Sequence, residues 1–234
     1  MKRISNPLFV AVAALAVSGS FAGVSSAALR VPQKAVLGGS LQAYLNGVGE
    51  SINVLTQQDA TQVWTHTTST TTTFTIMVEQ SPNANLNIVG MYNASAGGAP
   101  PLYVLLPGAL TPDAFATATF RPGGVLEVSR FDANALPSSS QTYNGVDPTA
   151  FCFYIQGPNG TYYTQDYRNP GGNAQALSYQ GTGGNAGTWW LCFEETSVAA
   201  GSDQDFDDSV ILMESVNPTP TLTTSWGQLK ARFR

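Results

Sequence analysis

Apolar and polar positions along this chain alternate mostly with the period of two that marks a half-buried strand, and the helical period is rare. Leu41, Tyr44, Leu45 and Val48 fall at i, i+3, i+4 and i+7, which predicts one short N-terminal amphipathic helix. Ser40 can cap its start, and Gly47 and Gly49 can end it. Residues 52–55 then alternate like a first strand. Residues 61–78 are Thr-rich and finish in Phe-Thr-Ile-Met-Val, with the β-branched residues that strands favour. The Thr run at 67–73 does not repeat a Thr-x-Thr period over several segments, as an ice-binding face would require, and reads as a solvated strand or loop.

Clusters of Pro, Gly and Asn punctuate the β-prone runs. Ser81-Pro82-Asn83-Ala84-Asn85 separates 74–78 from 86–92, Arg121-Pro122-Gly123-Gly124 separates 116–120 from 125–131, and Gly157-Pro158-Asn159-Gly160 separates 151–156 from 161–164. Each predicts a hairpin, and strands joined so tightly must run antiparallel. Residues 188–193 form a further strand and 206–216 the last, which Asn217-Pro218 ends because proline cannot continue a ladder. The expected fold class is all-β, an antiparallel β-sandwich or jelly roll with one short N-terminal helix.

Composition divides the chain further. Lys2 and Arg3, an apolar stretch from Leu8 to Val17, and Ser25-Ser26-Ala27-Ala28 make 1–27 a secretory leader. The domain is expected over 28–216, with a Pro/Thr linker and basic tail over 217–234. That leaves about 205 exported residues, the size of one sandwich domain. No later stretch is long and apolar enough to span a bilayer. Export places the protein outside the cell or on its surface, with the periplasm the other compartment it can reach. In the tail, Trp226, Leu229 and Phe233 share a helical face with Lys230, Arg232 and Arg234 around it. The segment is too short to be a stable helix alone, so a disordered end competes with a docking or address tag.

Before that tail the exported body holds five basic residues (Arg30, Lys34, Arg121, Arg130, Arg168) against 15 acidic ones. Such a body repels phosphate backbones, and nucleic acid is excluded as a partner. Four of the acids crowd into six positions, Asp203, Asp205, Asp207 and Asp208, directly before an apolar run. If 188–193 and 206–216 pair as a hairpin, Glu194 and Glu195 arrive beside them. Carboxylates this close repel by roughly a kcal/mol per pair even in water, and a divalent cation removes the repulsion. Hard oxygen donors with no neighbouring histidine favour Ca²⁺ over Zn²⁺. The expected metal residues are Glu194, Asp203, Asp205, Asp207 and Asp208; the competing reading is a solvated turn with no ion. An EF-hand is rejected, because Asp208 replaces the central glycine and the strand at 210–213 carries Glu214 away.

Cys152 and Cys192 lie in matching Phe-Cys-Phe and Leu-Cys-Phe settings on two strands. Export permits a disulfide between them, and two buried free thiols are the alternative. His66, the one histidine, has no Ser or Cys partner motif. Neither Gly-x-Ser-x-Gly nor His-Glu-x-x-His occurs, and the carboxylates form a cluster rather than two isolated acids. No catalytic residue is therefore assigned. Adjacent Trp189 and Trp190 point to opposite strand faces, so one is expected in the core and the other partly exposed. With Tyr162, Tyr163, Tyr167 and Tyr179, these aromatics could stack on sugars.

The segments Gly-Pro-Asn-Gly-Thr-Tyr-Tyr-Thr from Gly157, Asn169-Pro170-Gly171-Gly172, Phe193-Glu194-Glu195 and Gly201-Ser-Asp-Gln-Asp-Phe-Asp-Asp-Ser-Val210 occur in that order. Together they resemble the bacterial domain-of-unknown-function family 4114 of secreted and surface proteins. The resemblance covers about the last third of the chain. It implies a β-sandwich with a calcium-binding acidic loop and no established catalytic activity. Glu194 matches the motif's Glu, and Asp203, Asp205 and Asp208 its acidic positions; Asp207 stands where Asn is frequent and Glu195 where Asp is. Ala174-Gln175 replaces an Asp-His pair. The end from Thr224 resembles Trp-Gly-x-x-Lys C-termini of predicted exported proteins, whereas the Pro-Glu-Pro anchoring route of many relatives is not matched.

The expected function is a non-catalytic, calcium-stabilised extracellular or cell-surface module serving surface architecture or adhesion. Its partner would be cell-surface polysaccharide or protein. A carbohydrate-binding module is the alternative, with a secreted hydrolase behind it.

Overall fold

The period-two pattern becomes thirteen strands and the single helical stretch becomes one helix in the computed structural model, which describes residues 40–67, 71–79, 81, 83–108 and 112–219. The expected leader at 1–27 and the basic tail from residue 220 lie outside them. Helix α1 spans Ser40–Gly47. The strands are β1 Trp64–His66, β2 Thr71–Glu79, β3 Ile88–Asn93, β4 Tyr103–Leu106, β5 Phe115–Arg121, β6 Val125–Phe131 and β7 Pro137–Tyr143. They continue with β8 Phe151–Gly157, β9 Gly160–Tyr163, β10 Ala176–Gln180, β11 Trp189–Phe193, β12 Ser209–Glu214 and β13 Val216–Pro218. Among the described residues, no helix is long and apolar enough to cross a membrane.

All pairings are antiparallel. One sheet runs β13-β1-β8-β3-β4, with β9 also on β8; the other runs β10-β11-β12-β2-β5-β6-β7. The two pack face to face as a β-sandwich. Alternate residues from both, among them Trp64, Phe74, Met91, Leu105, Phe151, Phe153, Leu191 and Met213, fill the space between. Residues of opposite parity on β10, β11 and β12 (Leu177, Tyr179, Trp190, Cys192, Val210) meet Leu41 and Leu45 of α1 on the outer face. The helix therefore roofs one end of its sheet. A third cluster, Tyr92, Cys152 and Tyr154, lies outside the other sheet.

Local turn chemistry places two of the three expected tight hairpins, and the conditional β11–β12 pairing also forms. Arg121 pairs with Val125 across Gly123 and Gly124, both at positive φ where a β-carbon would strain the backbone. Gly157 pairs with Gly160, and β11 pairs with β12.

Elsewhere the structure corrects the reading. Residues 52–55 lead into a turn at 54–56 rather than forming a strand. Their alternation reflects Ile52 and Val54 buried in the outer cluster, while the Asn53 side chain accepts from Leu55 N–H and Gln57 accepts from Asn53 N–H. The 81–87 stretch crosses between sheets instead of closing a hairpin, because β12 and β5 already flank β2. The last strand is two: Ser215, at φ 61, ends β12, and β13 continues in the opposite sheet on β1. Pro218 is tolerated there because β13 is an edge.

The expected disulfide does not form. Cys152 and Cys192 are both free and buried. They sit in clusters outside opposite sheets, and sheets packed about 10 Å apart hold the two α-carbons beyond disulfide reach. Nor is either tryptophan of the adjacent pair exposed. Trp189 enters the inter-sheet core and Trp190 the roofed outer cluster.

Candidate metal centre

The loop from Glu194 to Asp208 joins β11 to β12, so its two ends are fixed side by side by the pair Phe193↔Ser209. Its base is tied down by Gln175, fully buried before β10. That side chain donates to Thr196 C=O at 2.9 Å and accepts from Val198 N–H at 2.6 Å. A short 3-10 turn at Val198–Ala200 ends on Gly201, whose φ of 90° needs glycine. Phe206 then plugs into the outer apolar cluster. Gln204 and Phe206, flanking Asp205, both hold positive φ, at 61° and 57°. Left-handed backbone at non-glycine residues costs about 1–2 kcal/mol each. The apolar anchor and the Gln175 bonds hold the loop in this strained form.

Within the loop, ligand oxygens of Glu194, Asp203 and Asp205 all lie within 4.8 Å of one another. Glu194 is 0 % exposed, Asp205 half-buried and Asp203 exposed, so the group runs from the protein interior to its surface. Glu194 Oε1 accepts from Phe206 N–H at 2.7 Å, while Oε2 is buried with no hydrogen-bond partner. Asp205 Oδ1 is likewise buried and unpartnered. A buried acceptor without a donor costs about 1–3 kcal/mol, more when charged.

The electrostatics follow from this crowding. Burial pushes the Glu194 carboxyl up to about 7; the Phe206 N–H and the Ser202 hydroxyl oppose that, and the Asp208 and Asp205 carboxylates add to it. Burial also raises Asp208 to about 7, against the Glu195 N–H and helped by Glu195, Asp205 and Asp203. Asp205 rises to about 6 through burial and the Asp207 and Asp203 carboxylates. Each shift says the same thing: without a cation, the site resists ionisation.

Of the five acids the sequence singled out, the structure brings Glu194, Asp203 and Asp205 into this group. Asp208 Oδ2 instead accepts from Glu195 N–H at 2.8 Å, closing the neck of the loop. Asp207 is buried, with Oδ2 unpartnered. Glu195 leaves the group entirely: Asn83 and Asn87, from the crossover between sheets, donate to its two oxygens at 2.8 and 2.7 Å. Glu214 lies at the far end of β12, opposite Thr73, so the rejected EF-hand geometry is absent.

Sequence reasoning missed the supporting residues. In the sequence Gln175 stands only as a departure from the family pattern, and nothing local marks Asn83 or Asn87 as partners of Glu195, more than 100 positions away. The three clustered carboxylates, hard oxygen donors with two buried oxygens left without a hydrogen bond, can hold a metal ion. Comparison with known proteins adds no assignment: no family model, no curated protein and no solved structure matches this chain.

Proposed function

We propose that the protein is a non-catalytic module of the cell exterior or surface whose acidic loop is locked by Ca²⁺. It would serve architecture or adhesion rather than turnover. The observation that carries the reading is Glu194: a fully buried carboxylate aimed, with one oxygen unpartnered, at two further carboxylates. Ca²⁺ accepts six to eight oxygens in flexible geometry. Glu194, Asp203 and Asp205 would supply the protein's carboxylate share, and the ion would relieve both their repulsion and the orphaned oxygen. The resemblance to the family 4114 acidic loop agrees with this, as does the leader expected at 1–27. Burial of Trp189 and Trp190 withdraws those two rings as a sugar platform.

Calcium would then act as a structural staple, holding Phe206 in its cluster and the neck of the β11–β12 hairpin closed. The test is a thermal or urea unfolding series in chelator and in calcium. A site of 10 µM affinity at 1 mM calcium adds about 2.7 kcal/mol by linkage. An unfolding midpoint indifferent to calcium would sink the proposal.

A further inference from the structure

Five strands border the two sheets, and four of their free edges are closed. Strand β13 is three residues long and ends in Pro218. On β9, the Asn169 side chain accepts from Tyr163 N–H and donates to Tyr163 C=O, both at 2.8 Å. On β4, Arg130 donates to Leu105 C=O at 2.7 Å and to Val104 C=O at 2.8 Å, while Tyr143 Oη accepts from Val104 N–H at 3.0 Å. On β10, Asp59 N–H donates to Ser178 C=O at 2.9 Å.

Strand β7 is the exception. Its sequence, Pro-Ser-Ser-Ser-Gln-Thr-Tyr, has no charge, and its residues are exposed on both faces up to the half-buried Tyr143. One side pairs with β6; among the described residues, nothing bonds the backbone of the other. Pro137 occupies the first position and the ladder skips Ser138, so the regular row of donors runs from Ser139 to Tyr143. Natural edges are blunted by lysine, proline, bulges or covering segments. Here the other four are blunted, whereas the longest has its proline and its irregularity at one end and leaves Ser139 to Tyr143 open. Moreover, β7 sends no side chain from Pro137 to Thr142 into the core, so packing does not account for its extension.

An open row of N–H and C=O groups is matched by another strand. The side chains of β7 form no pocket to select a foreign sequence, but they suit the same strand turned around. About a two-fold axis at Ser140, Ser139 faces Gln141 and Ser140 faces itself, with no like charges opposed. On the outer face, Thr73, Thr117, Ser129 and Ser140 form one cross-strand row. That row would run on into the second copy.

Charge does not oppose the pairing. The acidic loop borders β12, four strands from β7, or roughly 19 Å at the usual strand spacing. In a dimer the two acidic corners would be about twice as far apart, well past the screening length of roughly 8 Å. We propose that β7 is a self-association edge, through which two copies join antiparallel about Ser140 into one continuous sheet.

The contact is small, so dimerisation should depend on concentration in the micromolar range. Light scattering or sedimentation of the full chain, in calcium, should show mass rising towards the dimer. Ser140→Lys sets two lysines against each other at the axis and should weaken association at least tenfold, while leaving the unfolding midpoint of the monomer unchanged. Ser140→Cys should cross-link on mild oxidation. Ser138→Cys should not, because its copies would stand roughly 14 Å apart along the strands. A chain monomeric at every concentration, a dimer indifferent to Ser140→Lys, or equal cross-linking at 138 and 140 would each overturn the proposal.

Discussion

Glu50 and Glu194 lie at opposite ends of β11, both buried, at 4 % and 0 % exposure, and the protein treats them in opposite ways. Glu50 accepts from Thr182 N–H and Oγ1 at 2.6 Å each, and from Asn185 Nδ2 and Trp190 Nε1 at 2.8 Å each. Burial alone would raise its pKa, but these bonds outweigh burial and hold it below the ordinary value. Glu194 has one backbone donor and the Ser202 hydroxyl nearby, keeps its second oxygen without a well-formed hydrogen bond, faces carboxylates, and is raised to about 7. The charge of Glu50 is solvated by the fold; that of Glu194 awaits something from outside. Burial of a carboxylate therefore identifies nothing by itself, whereas the count of donors around it separates a structural anchor from an unfinished site.

Removing each charge should give opposite signs. Glu50→Ala leaves four donors without their acceptor, each costing about 1–3 kcal/mol if it finds no water. We expect a loss of at least about 3 kcal/mol in urea unfolding, equal in chelator and in calcium. Glu194→Gln removes an unfavourable charge, and in chelator should stabilise the protein by about 1–3 kcal/mol while abolishing the response to calcium. Loss of stability by Glu194→Gln in chelator would erase the distinction between the two residues.

The pH dependence is the next effect in size. Glu194, Asp208 and Asp205 have folded pKa values raised to about 7, 7 and 6, against unfolded values near 4. The folded state thus binds more protons in this window, and stability must rise as pH falls from about 7.5 to 5. For Glu194 alone the shift is worth on the order of 3 kcal/mol, shared among interacting groups. Glu50 has the reverse sign: its contribution is present above its unfolded pKa and is lost as pH falls through its lowered folded value. In chelator, stability should therefore pass through a maximum near pH 5, and saturating calcium should flatten the slope above it. A chelated protein that loses stability steadily from pH 7.5 to 5 would show the acidic loop to be adequately solvated.

This contrast also explains what the sequence could and could not disclose. The Asp203–Asp208 crowd is a local signal, and Gly123, Gly124 and Gly160 fix hairpins within a few residues of themselves. Glu50 carries no motif. Its donors stand 132 to 140 positions away, and only the fold brings them together. The same limit separates the strands from their sheets: alternation in 74–78 and 86–92 identifies β2 and β3, but their division between two sheets depends on β12, β5 and β8. Periodicity in 52–55 reported a buried face and misreported the backbone, since Ile52 and Val54 can pack from a turn. The matching settings of Cys152 and Cys192 likewise said that both thiols are buried, without saying on which side of the sandwich.

The finest test lies at the outer end of the acidic group. Asp203 is exposed, and changes at exposed positions are usually within about 0.5 kcal/mol. Yet it shares the 4.8 Å cluster with Glu194 and Asp205, and as a ligand its charge would count most when the cation is present, its repulsion of Asp205 and Asp208 being a lesser contribution. Asp203→Asn should therefore leave unfolding in chelator almost unchanged while moving the calcium midpoint about tenfold or more, a difference of roughly 1.4 kcal/mol in binding. Calorimetric titration beside chelated urea melts reads the two quantities separately. If Asp203→Asn stabilises the chelated protein as strongly as Glu194→Gln, repulsion rather than burial dominates the site, and the contrast with Glu50 would rest on the neighbouring charges rather than on the missing donors.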